Sequence, residues 1–211
     1  MTDTMIKVCG LSTPETIDAA VDAGATHVGF VHFEKSPRHL GLEEAAKLRR
    51  RVPEGVKLVL VTSAMQPEAL ARAYDVIRPD VLQFHGSETP EWVALVRETI
   101  KVECWRSFGL KDAGTLERAR VFEGKCDRLL FDAPAKALPG GNGVVAQWDL
   151  LESWEPFMPW ALAGGLTPDN VGEAIGRTRA PLVDASSGLE TAPGEKSVDL
   201  IRAFCDAARA A

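Results

Sequence analysis

Several features that would direct the reading elsewhere are absent. No apolar run approaches the roughly 18 residues that a bilayer span needs, so no membrane partner is expected. No basic stripe is interleaved with aromatics, and a net charge of −6 argues against a nucleic-acid partner. The local run Lys47, Arg49, Arg50, Arg51 lies in a helical pattern after Leu42 and reads as a solvated helix face that at most helps attract an anion. The four cysteines, Cys9, Cys104, Cys126 and Cys205, lie far apart without paired spacing, which suits reduced thiols in a cytosol and gives no zinc pattern. His27, His32 and His39 scatter without ligand spacing, so no metal site is expected and these residues read as structural or surface groups. Met1-Thr2-Asp3-Thr4-Met5 has neither the basic start nor the apolar stretch of a signal peptide. No linker or low-complexity segment interrupts the chain. With 211 residues, 45% hydrophobic and 26% charged, it reads as one cytoplasmic globular domain over 1–211.

What is present is alternation. Short apolar or β-branched runs near Ile6–Cys9, His27–Val31, Lys57–Val61, Val81–His85, Val102–Ser107, Arg128–Asp132, Trp160–Ala163 and Leu182–Asp184 read as strands. Between them lie helical patterns over Pro14–Ala23, Leu42–Arg51, Pro67–Ile77, Pro90–Thr99, Gly114–Phe122 and Pro168–Thr178, with a short helix around Trp148–Ser153 and a last one over Ser197–Arg209. Eight such units at intervals of roughly 20–30 residues point to an α/β fold, a (βα)8 TIM barrel. A doubly wound sheet is the alternative, because periodicity does not show closure. An internal echo favours the barrel: Cys9-Gly10 before Thr13-Pro14-Glu15, His85-Gly86 before Thr89-Pro90-Glu91, and Gly164-Gly165 before Thr167-Pro168-Asp169. Strand, glycine turn, threonine cap, proline and acid recur, each cap serving the free N–H groups of a helix start.

In a barrel, chemistry sits at the C-terminal strand ends. Those ends hold Cys9, the Phe33–Arg38 loop, Ser63, His85, Ser107, Asp132, Gly164-Gly165 and Asp184 to Gly188. Gly164-Gly165 leaves backbone N–H groups open to an anion, and the following helix start adds a positive dipole end. Ala185-Ser186-Ser187-Gly188 offers further N–H and O–H donors without bulk. Loops after strands seven and eight are neighbours in a barrel, so the pair reads as one phosphate site. Trp105 and Trp160 read as core or barrel-wall residues.

These residues resemble a family. Lys7-Val8-Cys9-Gly10-Leu11, Gly29-Phe30-Val31, Ser36-Pro37-Arg38, Gln83-Phe84-His85-Gly86, Leu130-Phe131-Asp132, Gly140-Gly141-Asn142-Gly143, Ala163-Gly164-Gly165-Leu166-Thr167-Pro168 and Asp184-Ala185-Ser186-Ser187-Gly188 are similar, in order and over nearly the whole chain, to the phosphoribosylanthranilate isomerases. The resemblance implies an Amadori rearrangement in tryptophan biosynthesis, converting N-(5′-phosphoribosyl)anthranilate to 1-(2-carboxyphenylamino)-1-deoxyribulose 5-phosphate. One base and one acid suffice, with no metal and no organic cofactor. It implies Cys9 as general base, Asp132 as general acid and Arg38 at the anthranilate carboxylate. His85 and Asp184 are implied to orient substrate or the last phosphate loop, and Gly164, Gly165, Ser186, Ser187 and Gly188 to hold the phosphate. Each catalytic group must adopt its less common protonation state: ionising a free thiol at pH 7 costs roughly 2 kcal/mol, and protonating an ordinary Asp roughly 4 kcal/mol. The chain departs from the family after strand six, where Asn142 stands for the usual threonine and Val144-Val145-Ala146-Gln147-Trp148 replaces a stretch usually basic and then Phe-Asp-Trp. A monomer is expected. Two other readings stay open: another sugar-phosphate isomerase or epimerase barrel, and a non-catalytic phosphate-ligand sensor that would not require Cys9 and Asp132 together.

Overall fold

The computed structural model describes residues 4–132 and 148–211. The loop readings on Gly140-Gly141-Asn142-Gly143 and Val144 to Gln147 lie outside the described residues. In chain order the elements are β1 (Met5–Cys9), α1 (Pro14–Asp22), β2 (His27–Val31), α2 (Leu42–Arg49), β3 (Lys57–Thr62), α3 (Pro67–Ile77), β4 (Val81–Phe84), α4 (Pro90–Ile100), β5 (Glu103–Gly109), α5 (Ala113–Ala119) and β6 (Arg128–Asp132). A short α6 covers residues 148–152. Then follow β7 (Trp160–Leu162), α7 (Val171–Thr178), β8 (Leu182–Ala185), a hairpin of β9 (Glu190–Ala192) and β10 (Glu195–Lys196), and α8 (Val198–Arg209).

Strands β1 to β8 are parallel neighbours in sequence order and form a closed barrel. Closure is made by β8 against β1, with Ile6 opposite Val183 and Lys7 opposite Asp184. That pairing excludes the doubly wound alternative, whose outer strands stay open. Strand boundaries fall within about two residues of the sequence reading, as is usual for element ends.

Side chains alternate across each strand, and the alternation decides what enters the barrel. On β1, Ile6 and Val8 pack outward into the shell shared with the helices, while Met5 joins the inner layer of Val59, Val81, Trp105, Leu130, Ala161 and Leu182. Cys9 stands at the mouth beside Val31, Val61 and Phe33. Trp105 fills the barrel interior and Trp160 joins the outer shell, as core and wall residues should.

Two of the three echoed turns cap as their sequence suggests: Thr13 accepts from the N–H of Thr16, and Thr89 from that of Trp92. The third does not. Residues 168–170 form a turn, and α7 begins only at Val171, with no side-chain cap. Asn170 is the reason: its Oδ1 accepts from the Thr167 N–H at 2.8 Å and its Nδ2 donates to the Gly165 carbonyl at 3.0 Å. The amide spends its hydrogen bonds on shaping the glycine loop rather than on starting a helix. The β9–β10 hairpin has no counterpart in the sequence reading.

Candidate active site

Cys9 reaches the barrel mouth because its neighbour across the strands is a glycine. Gly29 pairs with it in register, and a Cβ there would lie 2.8 Å from the sulfur. Two residues below, and on the same face of β1, the Lys7 side chain is wholly buried. Its ammonium donates to Asp184 Oδ2 at 2.6 Å. Burial pushes the Cys9 thiol up, the Lys7 ammonium pulls it back, Asp184 pushes it up again, and Lys196 acts as a second, weaker cation. The balance leaves the thiol above its ordinary range. Lys7 itself is held above its usual range: burial opposes the charge, but Asp184 and Cys9 together outweigh it.

Asp132 ends β6 on the inward face, and its Oδ2 lies 3.7 Å from His85 Nε2 at the end of β4. Both side chains are part-exposed to one cavity of about 480 Å³. That cavity is lined by the ten residues given a role from the sequence, Cys9, Arg38, His85, Asp132, Gly164, Gly165, Asp184, Ser186, Ser187 and Gly188, while Ser107, also read at a strand end, is not among its lining residues. The thiol and the carboxyl therefore share a single space.

The loops after β7 and β8 abut. A Cβ on Gly188 would lie 2.0 Å from the Leu166 carbonyl oxygen and 3.0 Å from Thr167 Cγ2. Gly164 and Gly165 both take positive φ, 88° and 67°, a conformation that costs a side-chain-bearing residue. Small residues thus bring two donor-rich turns together. Two buried polar atoms on inward-facing, cavity-lining residues, Gln83 Oε1 and Asp184 Oδ1, have no hydrogen-bond partner among the described residues. Each such group costs about 1–3 kcal/mol if left unmet, so the cavity is chemically suited to a ligand rich in hydroxyls.

Arg38 lines the cavity, but two of its donors are already engaged: Nε and Nη2 donate to the two oxygens of Glu190, at 2.6 Å each. Glu190 also takes the ammonium of Lys196. Sequence reasoning missed Lys7, Glu190 and Lys196. For Lys7 a signal existed, since strand alternation two residues before an inward Cys9 turns it inward too. Among the described residues, no group of three His, Cys, Asp or Glu could hold a metal ion, and no helix is long and apolar enough to cross a membrane.

A closed (βα)8 barrel with a thiol, a carboxyl and paired small-residue loops around one cavity belongs to the class of barrel enzymes that perform acid–base chemistry on phosphorylated small molecules. Comparison with known proteins narrows the class. The family model described as N-(5′-phosphoribosyl)anthranilate (PRA) isomerase matches residues 6–207, and the chain belongs to that family. A relative from Erythrobacter litoralis, named N-(5′-phosphoribosyl)anthranilate isomerase, is 63% identical over 98% of this chain and 99% of its own. The crystal structure of phosphoribosyl anthranilate isomerase from Thermotoga maritima is similar at a TM-score of 0.90 and 30% identity, covering 99% of this chain and 100% of that one. Another solved structure, phosphoribosyl anthranilate isomerase in complex with reduced 1-(o-carboxyphenylamino)-1-deoxyribulose 5-phosphate, is similar at a TM-score of 0.83 and 29% identity, with the same shares covered.

Proposed function

We infer that this chain isomerises N-(5′-phosphoribosyl)anthranilate to 1-(2-carboxyphenylamino)-1-deoxyribulose 5-phosphate, the aldose–ketose step of tryptophan biosynthesis, with Asp132 as acid and Cys9 as base. The observation that carries the assignment is the shared cavity, in which a thiol and a carboxyl face a pair of abutting anion-binding loops. In this reading the 5′-phosphate binds the backbone N–H groups of Gly164, Gly165 and Gly188 and the hydroxyls of Ser186 and Ser187. The unmet acceptor of Asp184 takes a sugar hydroxyl, and Arg38 meets the anthranilate carboxylate.

Asp132 protonates the furanose ring oxygen, the C1′–O bond breaks, and the nitrogen lone pair forms an iminium. Cys9 as thiolate then removes the C2′ proton, the electron pair moves to give an enolamine, and tautomerisation yields the ketone. No step calls for a metal or an organic cofactor. His85, 3.7 Å from Asp132, orients the acid. A thiol held above its ordinary range is ionised in fewer molecules, but each thiolate is a stronger base. The iminium formed by ring opening lowers the cost of that ionisation at the moment it is used, and the buried Lys7 ammonium keeps it accessible.

We place the protein as a single-domain monomer in the cytoplasm. The large apolar residues exposed among the described residues, Val76, Leu95 and Val121, stand one each on α3, on α4 and in the turn after α5, and the four cysteines are buried and free. Both points support that placement, and sedimentation of the purified chain tests the monomer. The activity is tested by following the loss of phosphoribosylanthranilate fluorescence with the purified protein. Turnover that scales with protein concentration is expected. Binding of the reduced product analogue without turnover would favour the sensor reading instead.

A further inference from the structure

The β9–β10 hairpin folds back over the mouth of β1, and one buried carboxylate holds it there. Glu190, its side chain 5% exposed, collects donors from three places: Arg38 through Nε and Nη2, the Lys196 ammonium, and the Gly194 N–H at 3.2 Å. Burial pushes this carboxyl up, but the hydrogen bonds from Arg38 and Lys196 outweigh it and hold the group below the ordinary carboxylate range. Lys196 also donates to the Ser186 carbonyl at 3.2 Å and to its Oγ at 3.4 Å. The hairpin tip rests on the Ser36-Pro37-Arg38 loop, since a Cβ on Gly194 would lie 2.5 Å from the Pro37 carbonyl oxygen. Gly10, directly after Cys9, is what lets the clamp sit so close to the thiol. A Cβ there would meet Arg38 Cδ at 2.6 Å and Lys196 Nζ at 3.2 Å.

The charges in this clamp do not balance. Two cations share one anion, and the ammonium and the carboxylate are almost wholly buried. The buried ammonium and the buried carboxylate offset each other, so the part-exposed guanidinium is the cation left over for a ligand. Arg38 remains part-exposed at the cavity edge, and its Nη1 hydrogens are not among those that Glu190 takes.

We propose that Glu190 is a specificity-determining positioning residue, which fixes Arg38 by one edge of its guanidinium so that the opposite edge, backed by Lys196, selects substrates carrying a second anion besides the phosphate. The proposal rests on the reading that Arg38 meets the anthranilate carboxylate. A free arginine has about 2 kcal/mol of rotamer entropy to lose on engaging a ligand, and a guanidinium already held in place loses little of it. The β9–β10 hairpin is thereby part of substrate selection and not only a cover for the barrel end.

The test is a double-mutant cycle of Glu190→Gln and Arg38→Ala, read as KM and kcat for N-(5′-phosphoribosyl)anthranilate, with thermal melting as the check on folding. Glu190→Gln is expected to raise KM about tenfold or more while kcat stays within about threefold. In the Arg38→Ala background the same change is expected to add less than about twofold, because its effect passes through Arg38. Glu190→Asp, which keeps the charge, is expected to recover part of the loss and carries the test if the glutamine variant does not fold. Equal factors in both backgrounds, or a fall in kcat at unchanged KM, would overturn the proposal. If Arg38→Ala alone leaves KM unchanged, the carboxylate reading of Arg38 fails and the proposal falls with it. If Arg38→Ala raises KM and Glu190→Gln does not, only the role of Glu190 fails.

Discussion

Replacing Lys7 by methionine tests how a buried thiol is made to act as a base. The ammonium is fully buried, donates to Asp184 and pulls the Cys9 thiol down electrostatically. Two opposite unit charges about 4 Å apart at an effective dielectric of about 20 attract by roughly 4 kcal/mol, so a neighbouring cation can favour a thiolate by up to about a thousandfold. Removing the cation can only push the thiol higher, so the thiolate fraction at pH 8 falls. The assay is the rate of iodoacetamide alkylation, located by mass spectrometry. The other thiols stay silent at this pH, because burial pushes Cys104 and Cys126 up to about 12 and Cys205 up to about 11. Cys9, which lines the cavity, is the expected site, and Lys7→Met is expected to slow its alkylation by at least about a hundredfold after allowing for local relaxation. The same substitution strands the Asp184 carboxylate, at a cost of about 3–5 kcal/mol in stability. The companion Lys7→Met/Asp184→Asn relieves that cost, and because Lys7 outweighs Asp184 at the thiol, its alkylation should still be slower than wild type. A folded Lys7→Met variant alkylated within about threefold of the wild-type rate would refute the electrostatic reasoning.

Gly188→Ala should force the loops after β7 and β8 apart, since its Cβ would overlap the Leu166 carbonyl; isothermal titration should show inorganic phosphate binding weakened by about tenfold or more, and affinity within about twofold of wild type would contradict the proposed shared phosphate site. His27, below the inner layer against Trp105, is lowered to about 3 by burial first and then by Lys57, Arg128 and Lys7. Its folded value lies below the unfolded one, so its contribution is complete above pH 6.5 and is lost as pH falls towards 3. Urea titrations should show wild type losing about 3 kcal/mol more than His27→Asn between pH 7 and pH 4, and parallel losses would contradict this account.

The barrel was legible because its strands are short, β-branched and separated by helical patterns, and because three strand-to-helix turns reuse one glycine, threonine, proline and acid signal. Periodicity stopped at closure: only the pairing of Met5 to Val8 with Leu182 to Ala185 distinguishes a barrel from an open sheet. The start of α7 was misread because Thr167 and Pro168 look like a cap, whereas the competing Asn170 amide is committed to Gly165 and Thr167. All ten candidate residues came to one cavity, since each stands at a strand's C-terminal end or in the loop that follows it. What remained hidden were the charges that tune them. Lys7 stands in the Lys7-Val8-Cys9 motif but was given no role, because a fully buried lysine is rare. Glu190 and Lys196 meet Arg38 only through a hairpin whose sole local sign is Pro193-Gly194 between two very short strands.

The most direct measurement compares wild type, Cys9→Ala and Asp132→Asn in turnover of N-(5′-phosphoribosyl)anthranilate and in affinity for its reduced product analogue. With an acid and a base each contributing to the barrier, kcat is expected to fall by about a hundredfold or more in each variant while analogue affinity stays within a few-fold. Turnover near the wild-type rate in either folded variant would contradict the assignment of Cys9 and Asp132 as the pair that moves the protons.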